Sequence, residues 1–319
     1  MDVSIVIVSW NTCDILRDCL ESVYLETKGV QSEVIVIDNG SSDGSAEMIK
    51  KEFSAVNLIV NEENRGFAAA NNQGMAIAQG RYVLLLNSDT IVLNNVISKT
   101  ISFADNHPEA AVVGCRVMNP DKSLQPTCFM FPSILNMLLS ASYLYKLFPK
   151  SKFFGREQMT WWDRSDIREV DVVTGCFMLV RQEAIKQVGT MDEQFFMYAD
   201  ETDWCYRFRQ AGWKVLFTPD AEIIHLGGAS SKSLRAEMIL QTRASILLFF
   251  QKHRSTFSYR LACLAFSMHA LIRIPYWLLR AIFEVKNRES HWIRVKTYTS
   301  GILKPLGGWR KLCHPSRQL

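Results

Sequence analysis

Tyr82-Val83-Leu84-Leu85-Leu86 is the most apolar short run in the chain, and it stops abruptly at Asn87-Ser88-Asp89. An apolar run of this length, bounded by Gly80 and a polar tripeptide, predicts a strand buried on both faces, as in a parallel sheet. Asp89 then falls at the carboxyl end of the strand, the edge where open α/β sheets bind ligands. A carboxylate there can hold a divalent cation against a diphosphate. Asn, Ser and Asp also favour turns and helix caps, so the tripeptide alone leaves both readings open.

The surrounding chain repeats the pattern. Apolar runs predict strands over 3–9, 33–38, 56–60, 82–87 and 111–117. Between them, helical spacing predicts helices over 14–26, 45–53, 67–79 and 96–106. Repeated β-α-β units imply right-handed crossovers and an α/β fold, a Rossmann-like, mixed and mostly parallel sheet flanked by helices. After Pro120 the rhythm breaks. An apolar stretch within 126–168 reads equally as an acceptor-side wall or lid and as a plain core helix. Strands over 170–180 and 215–218, a helix over 203–210 and a short strand over 223–226 follow, and a helical tail begins near Leu234. The expected division is a catalytic domain over 1–235, with a ligand-binding half 1–118 and a second half 119–235, and a basic amphipathic region over 236–319.

Hydrophobic residues make up 48% of the chain and charged ones 21%, the balance of a folded protein. Charge is unevenly placed: residues 1–242 carry −8 and residues 243–319 carry +12. A basic, aromatic-rich tail on an acidic body suggests an anionic partner. The eight cysteines show no CxxC pair and several lie in apolar runs, which points to a reducing compartment. The first strand begins at Val3 with no basic, apolar leader before it, so a cytosolic catalytic face is expected.

The turn after the first strand, Ser9-Trp10-Asn11-Thr12, carries neither a dinucleotide-binding glycine motif nor a P-loop. Phosphates must be neutralised in another way. Asp38 ends the second strand and is followed by Asn39-Gly40-Ser41-Ser42-Asp43-Gly44, which suits a tight turn beneath a base or ribose and equally an ordinary β-α turn. Asn64-Arg65-Gly66-Phe67 opens a helix of small residues, fit for an anion at the helix amino terminus or for close packing. Asp200, Glu201 and Asp203 crowd one helical turn. They either complement the helix dipole or form a partly dry site in which one carboxylate acts as general base. His225 follows a short apolar run and is either a structural hydrogen bonder or a metal partner of Asp89.

Taken in order, Val6-Ile7-Val8-Ser9-Trp10-Asn11, Val36 to Gly44, Asn64 to Asn72, Asn87-Ser88-Asp89, Gly175-Cys176-Phe177-Met178, Phe196 to Cys205 and His225-Leu226-Gly227-Gly228 resemble the family 2 glycosyltransferases, particularly bacterial rhamnosyltransferases of surface-polysaccharide assembly. The resemblance covers roughly residues 1–235. It implies a GT-A fold and inverting transfer from a nucleotide-sugar donor to a lipid-linked or saccharide acceptor. By motif, Asp38 contacts the nucleobase, and Asn39, Asn64, Arg65, Asn87 and Ser88 line the donor. Asp89, with His225, holds Mg²⁺ or Mn²⁺ on the diphosphate, and Glu201 is the base, with Asp203 as its rival and Asp200 beside it. Two departures stand out: the family's D-x-D is Asn87-Ser88-Asp89 here, and its Glu-Asp pair is Asp200-Glu201. Deoxythymidine-diphosphate-rhamnose is the donor the resemblance points to. Another nucleotide-sugar (UDP-GlcNAc or UDP-Gal) and a non-catalytic nucleotide-sugar-binding protein are the alternatives.

The tail is expected to lie on an anionic membrane surface without crossing it, making the protein peripheral on the inner face of the cell membrane. Only 12 uncharged residues separate Arg260 from Arg273 and six separate Arg273 from Arg280, short of the ~18 a span requires. A helical wheel puts His269, Arg273, Arg280 and Glu284 on one face and Leu264, Leu271, Leu278 and Ile282 opposite, with a kink at Pro275 and with Trp277, Trp292, Trp309, Lys286, Arg288, Arg294 and Lys296 at the interface. Packing of this helix on the catalytic domain is the other reading. No nucleic-acid reading module is recognisable.

Overall fold

The computed structural model describes residues 1–142, 144–228, 235–284 and 287–312. The expectations placed on the start of the tail near Leu234, on Lys286 and on Cys313 lie outside the described residues. The other seven cysteines are free thiols, six of them buried.

The amino-terminal part alternates as its pattern requires: β1 (Val3–Ser9), α1 (Cys13–Glu26), β2 (Ser32–Asp38), α2 (Ser45–Glu52), β3 (Asn57–Val60), α3 (Phe67–Ile77), β4 (Tyr82–Asn87), β5 (Thr90–Val92), α4 (Val96–Asp105) and β6 (Ala110–Met118). Then follow β7 (Cys128–Phe129), α5 (Ile134–Ser142), α6 (Leu144–Leu147), β8 (Arg168–Glu169), β9 (Val172–Val173), β10 (Phe177–Arg181), α7 (Gln182–Val188), α8 (Asp200–Gln210) and β11 (Lys214–His225). The C-terminal helices are α9 (Arg235–His253), α10 (Thr256–Phe283) and α11 (Arg288–Ser300).

The main sheet runs β3-β2-β1-β4-β10-β6-β11-β5, with β8 added beside β11. β1, β2, β3, β4, β6 and β11 share one direction, while β10, β5 and β8 oppose it. Side chains from both faces of β1 and β4 are buried, as a sheet covered by helices on both sides demands. α1 buries Leu16, Cys19, Leu20 and Val23. The small residues of α3 serve packing: a Cβ at Gly74 would meet Val6 Cγ1 at 2.5 Å and Ile37 Cδ1 at 2.9 Å.

Three expected elements differ. The strand over 170–180 is two pieces, β9 and β10, because β9 leaves the main sheet to pair antiparallel with β7. The strands over 215–218 and 223–226 are one long β11, carried past Pro219 and Asp220 by a register shift between Thr218 and Glu222. β5 and α7, both short, lack a period long enough to announce them.

The chain divides into two compact units. The first holds Met1–Phe131, Trp162–Phe196 and the stretch from Asp200 through β11; the second holds Pro132–Trp161, Met197–Ala199 and the C-terminal helices. The stretch read as a lid or core helix thus contributes α5 and α6 to the second unit.

Within that unit the polar face of α10 is packed in part. Arg273 is buried, and its Nη2 donates to the Ser140 carbonyl of α5 at 3.4 Å, while Arg280 and Glu284 stay partly exposed. Leu278 joins the packed cluster of Ala270, Trp277, Val295 and Tyr298. Leu264, Met268, Leu271, Ile272, Leu279 and Ile282 face outward instead. Trp277 and Trp309 are buried, the first beneath the Arg294 guanidinium at 4.2 Å, which leaves Trp292 as the exposed tryptophan of the three. The helix runs unbroken through Pro275. By length and composition α10 could cross a membrane, and 44% of its most apolar stretch is buried within the protein.

Candidate active site

Parallel register brings the first candidate residues to one edge. Ser9 pairs with Asp38 across β1 and β2, and Val8 pairs with Asn87 across β1 and β4, so the three strands end together. Asp38 is 1% exposed; burial raises its carboxyl pKa, and the Ser41 backbone N–H donating to Oδ1 at 3.3 Å opposes the shift. Asn39 is a junction. Its Nδ2 donates to Asn64 Oδ1 at 2.9 Å and to the Gly66 carbonyl at 3.3 Å, and its Oδ1 accepts from the Arg65 N–H at 3.1 Å and from Asn61 Nδ2 at 3.0 Å. The two loops that sequence reading assigned to the donor are therefore a single hydrogen-bonded unit. The Arg65 side chain is exposed at its rim.

Ser88 closes a hydroxyl chain, with Ser9 Oγ 2.9 Å from Thr12 Oγ1 and Thr12 Oγ1 3.2 Å from Ser88 Oγ. Antiparallel pairing of β5 with the end of β11, Thr90 opposite His225, brings Asp89 to the histidine. Asp89 Oδ1 lies 3.1 Å from His225 Nε2, and Asn87 Nδ2 lies 3.2 Å from the same nitrogen. On its other side His225 Nδ1 lies 2.6 Å from Gln125 Oε1. Because that amide oxygen only accepts, Nδ1 carries the proton. Nε2 then faces the Asp89 carboxylate oxygen, two ligand atoms that a cation can join. Among the described residues no cluster of three or more His, Cys, Asp or Glu side chains gathers as a metal cage.

α8 supplies the acids. Asp200 is 1% exposed, and burial together with the neighbouring Glu201 charge drives its pKa well above the ordinary carboxylate range. Its Oδ2 is buried with no hydrogen-bond partner. Both causes favour the protonated form of Asp200. Asp203 is fully buried and paired with Arg207 at 2.7 Å, whose other nitrogens donate to the Val188 and Thr190 carbonyls. Cys176 links the two acidic places: burial chiefly, with the charges of Asp89 and Glu201 adding, pushes its thiol up to about 11. Cys176 sits beside β4, where its carbonyl accepts from the Asn87 N–H.

Residues 4–189 match the family model described as Glycosyl transferase family 2, more than half of the chain. The chain belongs to glycosyl transferase family 2. It is a glycosyltransferase, and its mixed sheet is the GT-A fold. Over 232 residues it is 28% identical to the N-acetylglucosaminyl-diphospho-decaprenol L-rhamnosyltransferase of Mycobacterium tuberculosis, covering 69% of this chain and 75% of that one. A low-salt glycan biosynthesis hexosyltransferase of Haloferax volcanii is 23% identical over 89% of this chain and 86% of its own. Among solved structures, a mannosyltransferase of Pyrobaculum calidifontis in complex with GDP-Man and Mn²⁺ is similar in fold, with a TM-score of 0.54 and 15% identity over 95% of this chain and 86% of that one.

The candidate site also contains residues that sequence reading missed. Gln125, which orients His225, sits in an irregular stretch with no periodic signal. Gly66, at φ +84°, has no room for a side chain, since a Cβ would lie 2.4 Å from the Phe196 carbonyl oxygen that accepts from the Phe67 N–H. That contact ties the amino terminus of α3 to the segment just before the acids. A glycine between an Arg and a Phe at a helix start was its one visible sign.

Proposed function

We propose that this enzyme is an inverting transferase that moves L-rhamnose from deoxythymidine-diphosphate-rhamnose onto a lipid-linked or saccharide acceptor in cell-surface polysaccharide synthesis. The catalytic domain is assigned to residues 1–235, with Asp38, Asn39, Asn64, Arg65, Asn87 and Ser88 holding the donor. The observation that carries this reading is the common end of β1, β2 and β4, which brings Asp38 and Asn87 to one sheet edge, with Asp89 Oδ1 3.1 Å from His225 Nε2 beside it.

Asp89 and His225 fit a cation shared with substrate. Hard cations such as Mg²⁺ take one or two protein carboxylates plus phosphate oxygens and waters, and the Nε2 lone pair already faces Asp89. A bound Mg²⁺ or Mn²⁺ would neutralise the departing nucleoside diphosphate. The chain's own residues do the rest. Asp200, protonated, hydrogen-bonds Glu201 and fixes its carboxylate. Glu201 takes the proton of the acceptor hydroxyl as that oxygen attacks the anomeric carbon from the face opposite the diphosphate; one displacement inverts the centre. Asp203, tied to Arg207, holds α8 in place rather than reaching substrate.

Peripheral binding to an anionic membrane on the cytoplasmic side is supported by the outward leucines of α10 and by exposed Trp292, flanked by the basic residues of α11. It also suits the lipid-linked substrate named for the mycobacterial relative. A transfer assay with full-length protein, Mn²⁺ and a donor panel tests the proposal. Deoxythymidine-diphosphate-rhamnose is expected to turn over fastest. A faster UDP-sugar would reassign the donor, and donor binding without turnover of any sugar would make the protein a binder.

A further inference from the structure

The hydrogen bonds that lead to His225 from the loop after β6 all run in one direction. β11 pairs in parallel with β6, Ile224 opposite Met118, so His225 falls just past the end of β6. There the chain turns back on itself. The Asn119 N–H donates to the Ser123 carbonyl at 2.8 Å, the Lys122 N–H to the Asn119 carbonyl at 2.9 Å and the Gln125 N–H to the Val117 carbonyl at 2.8 Å, with Lys122 left-handed at φ +64°. Within this turn the Ser123 hydroxyl donates to Asp121 Oδ1 at 2.6 Å, which holds that exposed carboxyl below its usual range and keeps it an acceptor. With its one proton spent there, the Ser123 oxygen accepts from Asn119 Nδ2 at 2.9 Å. Asn119 thereby turns Oδ1 to Gln125, whose Nε2 donates to it at 2.8 Å and to the His225 carbonyl at 3.4 Å. Only Oε1 of Gln125 is left for the ring, 2.6 Å from Nδ1.

Turning the Gln125 amide over would set its oxygen against Asn119 Oδ1 at 2.8 Å, so the network itself assigns the orientation of each amide. The assignment matters at the ring, where two acceptors compete for one proton. Asp89 Oδ1, 3.1 Å from Nε2, draws the proton of a neutral imidazole to that side, and a carboxylate is the stronger acceptor. A proton on Nε2 would block the lone pair through which histidine binds a cation. Asn87 Nδ2, 3.2 Å from Nε2, meets that nitrogen with a donor instead. We propose that Gln125, held in place by Asn119, Ser123 and Asp121, is a positioning residue that keeps the His225 proton on Nδ1 and so leaves Nε2 open beside Asp89 for the cation that accompanies the donor diphosphate. This deepens the reading of Asp89 and His225 as a cation site. The position of the proton is read without metal, nucleotide or sugar, so the two can fail separately.

The test is nitrogen NMR of isotope-labelled histidine rings in the full-length, metal-free protein at alkaline pH, with the His225 signals assigned by their loss in His225→Asn. Tm and the binding of Mn²⁺ alone, followed by electron paramagnetic resonance of the free ion, are measured beside it. The wild type is expected to carry its proton on Nδ1. In Gln125→Leu the proton should move to Nε2, towards Asp89, and Mn²⁺ affinity should fall by about tenfold or more, the usual cost of losing the group that orients a ligating histidine. Gln125→Glu, which still accepts from Nδ1, should keep the proton there and most of the affinity. Asn119→Leu frees the amide to turn over without touching the ring and should give a mixture of the two tautomers. A proton on Nε2 in the wild type, or one that stays on Nδ1 in Gln125→Leu, would overturn the proposal, because a merely structural glutamine changes Tm and not the tautomer. A wild-type tautomer in Asn119→Leu would overturn the part given to Asn119, Ser123 and Asp121. If Gln125→Leu fails to fold, Asn119→Leu decides the proposal by itself. A tautomer that moves as expected in a protein that binds no Mn²⁺ would overturn the cation and leave the placement of the proton standing.

Discussion

The two compact units bury charge in opposite ways. In the catalytic unit buried polar groups find partners within the chain: Asp203 meets Arg207, Asp89 meets His225, and Arg181 donates to the carbonyls of Ala104, His107 and Ala110. In the C-terminal unit Arg243 stacks on rings, burial pushes the Glu157 pKa up to about 7, and leucines of α10 point outward. The first unit pairs most of its buried charge, Asp200 excepted, whose Oδ2 has no hydrogen-bond partner. The second has its charges inside and part of its oil outside, the arrangement of a part finished by a partner.

The comparison breaks most visibly at Glu201. Glu201→Gln should lower kcat by roughly 10² to 10⁴, the usual worth of a positioned base, with Tm unchanged. Asp203→Asn should do the reverse. Removing one partner of a buried ion pair costs about 3 kcal/mol, so Tm falls by several degrees while the surviving folded fraction keeps most of its kcat. A kcat loss larger than that of Glu201→Gln in folded Asp203→Asn protein would exchange their roles.

The C-terminal unit is probed by pH. Glu157 ionises near 4.5 when unfolded and near 7 when folded. The folded state therefore holds the extra proton, and stability is full below about pH 4.5. It is lost as pH rises towards 7, by about 3 kcal/mol in all. Glu157→Gln should flatten the fall of Tm between pH 5 and 8; a slope unchanged by the substitution would place the titration elsewhere. The smallest expected effect is at the outward stripe. Leu271→Lys with Leu279→Lys should weaken sedimentation with phosphatidylglycerol vesicles without lowering Tm, and equal sedimentation would remove α10 from the contact.

What could be read from the chain depended on how local the cause was. β1 to β6 follow from apolar runs and helical spacing, because each element there buries its own face. Asp38 and Asp89 were legible because strand ends are local. Gln125 on His225, the Asn39 junction and the Arg207 partner of Asp203 arise from pairings distant in sequence or from one side chain in a row of acids. The wheel of α10 was legible in its division of faces and not in its orientation. Periodicity separates two faces but does not say which one packs on protein: Leu264, Leu271 and Ile282 are exposed and Arg273 is buried, while Leu278 of the apolar face packs inward.

The division of labour along the catalytic edge is tested most directly by calorimetry of donor binding, with and without Mn²⁺, in Asp89→Asn and Glu201→Gln. Glu201→Gln is expected to bind nucleotide-sugar as the wild type does, and Asp89→Asn to lose the Mn²⁺-dependent part of the affinity. Undiminished Mn²⁺-dependent binding in Asp89→Asn would contradict it.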